Sequence, residues 1–569
     1  MEKHWSVADP APQEYHDAFP EVHPALVQLL YNRGLKTQKE VDEFLQPDYS
    51  QNVHDPFLFR QMDTAVTRVL RALDQKERIV VHGDYDADGV CGASVLVSGL
   101  RIINPDADIE TYLPHREVEG YGMNIESVEQ FAKSGTKLII TADCGTTNVK
   151  EIKRARELGM EVIVTDHHVP HGDLPETTAL LNPWVEGETY PFQPLCGTGV
   201  AFKLVQALFR RAKIGEKYEK WLLDLVAIGT IADYVPLIGE NRTLAKYGLI
   251  VLQKTRRVGL QAMFQIINLQ PENIDTQAVA FKIIPRINAA GRVDHANGAY
   301  QMLVTGIQEE AAEFARNLHQ LNLERQKITE RITQSALEQI GEVTPDQPLL
   351  LAEGEDWPAG LVGLVASRIM DKYYRPTVIV GRRQGLIIGS GRSLPEFHIT
   401  EALQSMSDLF TDFGGHRQAC GFTLTAKATV DELRQRLIEA AKKSLDGLDL
   451  KPRLHIDSEI TFDQIDWKLV ETLEDFEPYG EGNPQPKWLT KNIEVLTWDV
   501  VGKNGKHLRL SGRDDSGVSR RFICFGFGEW AEKLQAGKKI DAVYEIGINE
   551  WNGTRELQLK LVDILQSHD

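Results

Sequence analysis

Cysteine is scarce in this chain: five among 569 residues, Cys91, Cys144, Cys196, Cys420 and Cys524, with no Cys-x-x-Cys pair. That spread excludes a zinc ribbon or a disulfide framework and reads as five buried small hydrophobes in a reducing cytoplasm. No apolar stretch reaches membrane-spanning length, so no membrane contact is expected, and Met1–Trp5 has no signal-peptide pattern. Internal repeats and low-complexity tracts are absent. Basic residues are in deficit, 63 against 82 acidic, for a net charge of −19. This does not exclude a nucleic-acid partner, because phosphate affinity depends on where the cations lie. A carboxylate-rich metal site also adds negative charge that bound cations offset.

What is present is enough chain for three or four domains, with 42% hydrophobic and 25% charged residues, ordinary for a globular protein. Residues 1–75 read as an irregular helical lead-in with Pro-containing turns, closing on a helix near Met62–Leu73. Residues 76–305 begin with alternating strands and helices, the pattern of a doubly wound, mainly parallel sheet. They turn helical after Val200. A long amphipathic helix follows at 306–345, its stripe formed by Phe314, Leu318, Leu321, Ile328, Ile332 and Ala336. A second, smaller α/β domain spans 346–450, and short alternating strands in 451–569 suggest an OB-like β-barrel. The fold class is therefore multidomain α/β with a terminal barrel.

The chemistry concentrates at the ends of three hydrophobic runs. Ile79-Val80-Val81 leads into His82-Gly83-Asp84-Tyr85-Asp86-Ala87-Asp88, Leu138–Thr141 into Ala142-Asp143-Cys144-Gly145, and Val162–Thr165 into Asp166-His167-His168. In open α/β sheets the ligand crevice lies beyond the carboxyl ends of the strands, so these acids and imidazoles converge. Carboxylate oxygen with imidazole nitrogen suits Mn²⁺, Mg²⁺ or Zn²⁺. The first segment lacks the remainder of a calcium loop, including its terminal Glu. The function class is a metal-dependent phosphoester hydrolase.

His82–Gly89, Thr141–Gly145, Thr165–His168 and Gly229–Pro236 resemble, in order, the four motifs of the DHH phosphoesterases. Within that family the whole chain is similar to the bacterial single-stranded-DNA exonucleases that degrade from the 5′ end. The resemblance implies two divalent ions, Mn²⁺ or Mg²⁺, on His82, Asp86, Asp88, Asp143, His167 and Asp233. From bare sequence Asp233 is equally a helix cap before Tyr234-Val235-Pro236. The resemblance further implies a catalytic set of His168, beside the scissile phosphate, with Asp84 and Asp166 as carboxylates that orient ligands. Paired cations clamp the attacking and leaving oxygens of an in-line displacement.

Arg286–Arg292 reads as a small-residue turn carrying two arginines, either solvated or phosphate-binding. Gly389-Ser390-Gly391-Arg392-Ser393 and Gly414-Gly415-His416 resemble the substrate-binding motifs of the DHH-associated domain, with a plain glycine turn as the alternative for each. By resemblance Arg116, Arg292, Ser390 and Arg392 hold a 5′ phosphate, and His416 touches the strand near the metals. In the barrel Lys503, Lys506, His507, Arg509, Arg513, Arg520 and Arg521 surround Phe522, Phe525 and Phe527. This is either a solvated face over a Phe core or a single-strand surface. The resemblance implies single-stranded DNA as substrate, a single-strand-binding protein and a helicase as partners, and work in recombination and repair. Two rival readings are a small-molecule phosphoesterase and a non-enzymatic single-strand-binding scaffold.

Overall fold

β-Branched runs bounded by polar residues form the first sheet. A computed structural model describes residues 2–383, 385–502, 504–551 and 554–567. It separates into two units, one built from 54–235 with 244–451, the other from 2–53, 236–243 and 452 onward. In the first unit, β1 (Ile79–Gly83), α1 (Ala87–Ile103), β2 (Ile109–Tyr112), β3 (Leu138–Ala142), β4 (Glu161–Thr165) and β5 (Ala179–Leu181) open the fold. The five strands are all parallel, in the order β2-β1-β3-β4-β5. β1, β3 and β4 are buried almost throughout, as both faces of a helix-covered sheet should be. Gly83, Ala142 and Thr165 lie in register across the three strands, so Asp84, Asp143 and Asp166 leave the sheet at one level. The strand order reverses between β1 and β3, where open sheets place their ligands. Helices α2 (Gly197–Arg211) and α3 (Leu223–Ala232) pack on α1 with almost every residue buried.

The remainder of this unit contains α4 (Ile284–Val293), α5 (Gln308–Ile340), β6 (Leu350–Glu355), α6 (Ala359–Tyr373), β7 (Thr377–Arg383), β8 (Leu386–Arg392), β9 (Phe410–His416) and β10 (Ala419–Leu424). The sheet order is β9-β10-β8-β7-β6, with only β6 and β7 parallel. Three local expectations are corrected. Arg286–Arg292 is helix, not turn: Pro285 sits in its first turn and Ala289, Ala290 and Gly291 pack in the interior. Gly389–Arg392 and Gly414–His416 are strand, not turn. In the first segment the glycines answer to packing, since a Cβ at Gly389 would lie 2.1 Å from the Phe422 ring and one at Gly391 2.4 Å from Ile399; in the second, Gly415 has φ 142° and a Cβ there would lie 2.2 Å from the Ala419 carbonyl oxygen. The long helix α5 starts and stops where its periodicity says, but its middle buries Asn322 and Thr329 rather than an apolar stripe.

In the second unit, strands Trp488–Val501, His507–Arg513, Ser519–Cys524, Lys539–Trp551 and Thr554–Gln566 close into a five-stranded barrel. Helices Pro24–Asn32 and Gln38–Leu45 share one core with it, including Leu26, Leu29, Phe44, Phe476, Trp488 and Phe522. A strand unforeseen in the sequence, His4–Val7, pairs in parallel with Arg453–Ile456. Arg242, 1% exposed, donates to the carbonyls of Phe44, Asp475, Phe476, Glu477 and Pro478 at 2.7–3.3 Å.

Candidate metal centre and phosphate pocket

The His-x-Asp-x-Asp-x-Asp segment does not stay extended. β1 ends at Gly83, and Asp86 caps α1 by accepting from the backbone N–H groups of Asp88 and Gly89 at 2.9 and 3.1 Å. His82 thus projects from the strand, Asp84 and Asp86 from the turn, and Asp88 from the first helical turn. Asp88 is fixed by the N–H groups of Gly197 and Thr198 at 2.7 and 3.0 Å. Asp143 takes a left-handed conformation, φ 63°, which Asp tolerates better than most residues and which marks a backbone bent for a purpose.

His167 Nε2 lies 3.1 Å from Asp143 Oδ1, 3.4 Å from Asp233 Oδ2 and 3.9 Å from Asp88 Oδ2. Burial, then the neighbouring charge of His168, lowers His167 to about 4, so the ring is neutral and its Nε2 is a donor of a lone pair. The ring also hydrogen-bonds the Leu195 backbone, which fixes its orientation. Burial likewise lowers His82 to about 4. Asp88 is raised to about 6, and Asp84, Asp143 and Asp233 are raised well above the usual carboxylate range, by burial first and mutual repulsion second. Four buried atoms here have no hydrogen-bond partner: His82 Nε2, Asp84 Oδ1, Asp143 Oδ1 and His167 Nε2. Repelling carboxylates and unpartnered neutral imidazoles are what a divalent-cation site looks like without its ions. Three overlapping groups, Asp143–His167–His168, Asp88–His167–Asp233 and Asp84–Asp86–Asp143, each bring their donor atoms within 4.8 Å of one another.

His168 differs from its neighbour. Burial alone would lower it, but the 2.8 Å hydrogen bond from Nδ1 to Asp166 Oδ1 and that carboxylate's charge raise it. Asp166 correspondingly falls well below the usual range: burial opposes this, but hydrogen bonding to His168, the His168 charge and the Thr146 side chain outweigh it. The Tyr121 hydroxyl, absent from the sequence reading, sits 3.0 Å from His168 Nδ1 and donates to the Asp143 carbonyl at 3.0 Å. Its signal was Gly120-Tyr121-Gly122, two glycines with φ of 81° and 76° that turn the chain inward.

The arginines form a second cluster in the same unit. Arg116 lies over the Tyr85 ring at 4.9 Å. Arg292 donates to the Gly360 carbonyl at 2.8 Å, and burial followed by the charges of Arg116, Arg325 and Arg392 lowers it to about 10. Arg392 donates to Ser390 Oγ at 3.0 Å, and both approach Gly363 on α6. Among the described residues Arg116, Arg292 and Arg392 have no carboxylate partner. Arg325 on α5, also missed, belongs with them; it is held by Asn322 and repelled by Arg368. Asn288 links helix α4 to the metal loop by accepting from the Ala87 N–H at 2.7 Å. His416 is exposed at the end of β9; its described contact is the Thr400 hydroxyl on its carbonyl, and nothing joins its side chain to the cluster.

On the barrel, Arg520 faces inward to the carbonyls of Phe462 and Ile465, and Phe522 is core. Arg509, Arg513 and Arg521 share a face by register, and Phe525 is 54% exposed. Lys503 lies outside the described residues.

Known proteins bear on this arrangement. The DHH family N-terminal domain model matches residues 78–230, the DHHA1 domain model 346–443 and the RecJ OB domain model 456–563. A parallel sheet with this acid cluster at its strand ends, followed by that companion domain, defines a DHH-family protein. The single-stranded-DNA-specific exonuclease RecJ of Bacillus subtilis is 37% identical over 98% of this chain and 70% of its own length. Thermus thermophilus RecJ in complex with Mn²⁺ matches all of the chain and 80% of its own, with TM-score 0.84 and 30% identity. Its complex with Mg²⁺ matches with TM-score 0.76 at 28% identity, over 100% of this chain and 79% of that one. The chain belongs to the RecJ family. No helix among the described residues is long and apolar enough to cross a membrane.

Proposed function

We propose that the chain hydrolyses single-stranded DNA from its 5′ end, using two divalent ions, Mn²⁺ or Mg²⁺, on His82, Asp86, Asp88, Asp143, His167 and Asp233. The observation that carries this is the set of four unpartnered buried donor atoms, accompanied in one unit by arginines without carboxylate partners. When bound, the ions acidify water and neutralise charge on the phosphoryl oxygens.

The chain's own residues do the rest. Arg116, Arg292, Arg392 and Ser390 take the terminal 5′ phosphate and set which bond reaches the acid cluster. Water adds to phosphorus and the P–O3′ bond breaks, the 3′ oxygen leaving with a proton. A 5′ mononucleotide departs and the strand keeps a new 5′ phosphate, the same end group for the next cycle. His168, with Nδ1 fixed by Asp166 and Tyr121, presents Nε2 to the scissile phosphate. Asp84 and Asp166 orient the ligands, and His416 meets the strand near the metals.

In this reading residues 76–305 catalyse, 306–345 connect, 346–450 hold the phosphate and 451–569 hold the strand, with 1–75 as lead-in. Arg509, Arg513, Arg521 and Phe525 are the barrel's strand contacts. The setting is DNA recombination and repair in a bacterial cytoplasm, beside a single-strand-binding protein and a helicase. The test is digestion of 5′- and 3′-labelled single strands with Mn²⁺. Release of 5′-labelled mononucleotides first supports the reading, and Asp143→Ala should slow it about a hundredfold or more. Release from the 3′ end first, or an Asp143→Ala protein as fast as its parent, would overturn it.

A further inference from the structure

The second unit contains a cavity of about 970 Å³ that the reaction above does not use. Its walls are the parallel strand pair His4–Val7 and Arg453–Ile456, the end of helix Pro24–Asn32 with the turn after it, and the stretch around Pro484 and Lys487. It combines two features. Tyr15 and Tyr31 line it, edge to face with ring centroids 5.3 Å apart, and Tyr31 is 39% exposed. Lys36, Arg453 and Lys487 also line it, and none makes an ion pair among the described residues. Two carboxylates, Asp9 and Asp457, also line it, leaving the cations in excess by one, and Asp457 is already engaged. It accepts the Lys487 backbone N–H at 2.9 Å and lies 3.7 Å from Arg33.

We infer that this cavity binds a nucleoside 5′-phosphate unit, with the base on Tyr31 and the phosphate among Lys36, Arg453 and Lys487. Aromatic rings beside unpaired cations are the recognition chemistry of single-stranded nucleic acid: stacking accepts any base, and the cations take the phosphate. The volume lies at the upper end of ligand sites, ample for one nucleotide. An aliphatic ligand would leave three cations unanswered, and a bare anion would leave the tyrosines unused. The proposal rests on the nuclease reading for its biological sense, because that reaction consumes a strand of such units and releases them singly.

The test uses the full-length chain in EDTA, so that nothing is hydrolysed, titrated by calorimetry with dTMP and with (dT)6. A 4-thiothymidine (dT)6 is crosslinked in parallel and the adducts mapped. Binding of dTMP identifies a free nucleotide as occupant. Binding of (dT)6 without dTMP, with adducts at Tyr15 or Tyr31, identifies a strand segment. Either supports the inference, provided that the Lys36→Glu/Arg453→Glu double variant weakens it at least tenfold while Tyr31→Phe does not. It is overturned if that double variant binds both ligands like the parent with no adduct in the cavity, or if an acidic peptide binds there and neither nucleotide ligand does. Mn²⁺-dependent cleavage of 5′-labelled strands is measured on the same proteins. Its absence in the parent would sink the nuclease reading while leaving the binding result standing.

Discussion

Gly229 offers a sharp test of how the metal centre is packed. It lies within α3, where Gly costs helix stability relative to Ala by roughly 1 kcal/mol, so propensity alone says that Gly229→Ala stabilises. The structure says otherwise. A Cβ there would stand 2.2 Å from Thr198 Oγ1 and 2.6 Å from Asp88 Oδ1. Neither neighbour can yield cheaply: Thr198 is fully buried and its hydroxyl donates to the Asp88 carbonyl, while Asp88 is pinned by two backbone N–H groups. Relief requires α3 or the Asp88 carboxylate to move by about 1 Å. Overpacking of this kind costs about 1–3 kcal/mol, which offsets the helix gain and leaves a net loss of up to about 2 kcal/mol. The effect on function is larger, because a 1 Å misplacement of reacting groups can cost about a hundredfold. The assay pairs thermal unfolding with Mn²⁺-dependent cleavage of a labelled strand, and Gly298→Ala is the control, since a Cβ there meets nothing within 4 Å. The expected result is a large loss of cleavage with a small loss of Tm for Gly229→Ala, and little change for the control. A Gly229→Ala protein with parental activity and metal affinity would refute the claim that α3 sets the position of Asp88.

Three other outcomes follow from the contacts. Arg242→Met removes a buried guanidinium from five carbonyls of the second unit, of which Phe476 and Pro478 keep the Asn483 amide as donor, and should cost about 1–3 kcal/mol, read as a drop in unfolding midpoint. Tyr121→Phe keeps the ring against His168 but removes the hydroxyl; kcat should fall about tenfold with KM for the strand nearly unchanged, and an unaltered kcat would remove Tyr121 from the site. Arg292→Lys keeps the charge but loses the bidentate fork, so cleavage of 5′-phosphorylated strands should fall towards that of 5′-hydroxyl strands. Equal losses on both substrates would place the terminal phosphate elsewhere.

The parts of this site that were legible in the sequence are those that local physics determines. A β-branched run buried on both faces can only be a central strand, and the first polar residues after it must emerge at the sheet's carboxyl edge. Asp84, Asp143 and Asp166 were therefore placeable without any partner in view. Asp233 was not placeable from local physics, since a helix-end Asp is equally a cap; it rested on the family resemblance, and its 3.4 Å approach to His167 brings it to the cluster. Glycines at Gly389 and Gly391 suggest a turn locally, because Gly favours turns. Their actual cause is the close approach of Phe422 and Ile399, which no local signal reveals. The same holds for residues 2–53: His4–Val7 pairs with a strand about 450 positions away, and a four-residue strand carries no periodicity that names its partner.

The net charge of −19 now has a physical meaning. Many surface arginines, such as Arg154, Arg210 and Arg436, are neutralised by nearby acids. Arg116, Arg292 and Arg392 are not, although acids outnumber bases in the chain. In a protein with surplus carboxylates, half-buried cations left without carboxylate partners are answered most readily by an anion from outside. The opposite imbalance stands in the same unit, where Asp84, Asp88 and Asp143 are buried beside the half-buried Asp233, with no arginine or lysine paired to them among the described residues. Each cluster is unfavourable alone, since burying unpaired like charges costs free energy whichever their sign. A phosphodiester strand with divalent ions answers both at once: its phosphates offset the arginines and its counter-ions offset the carboxylates. In the proposed reading the two clusters are complementary halves of one substrate complex, so substrate and metal should each raise the other's affinity.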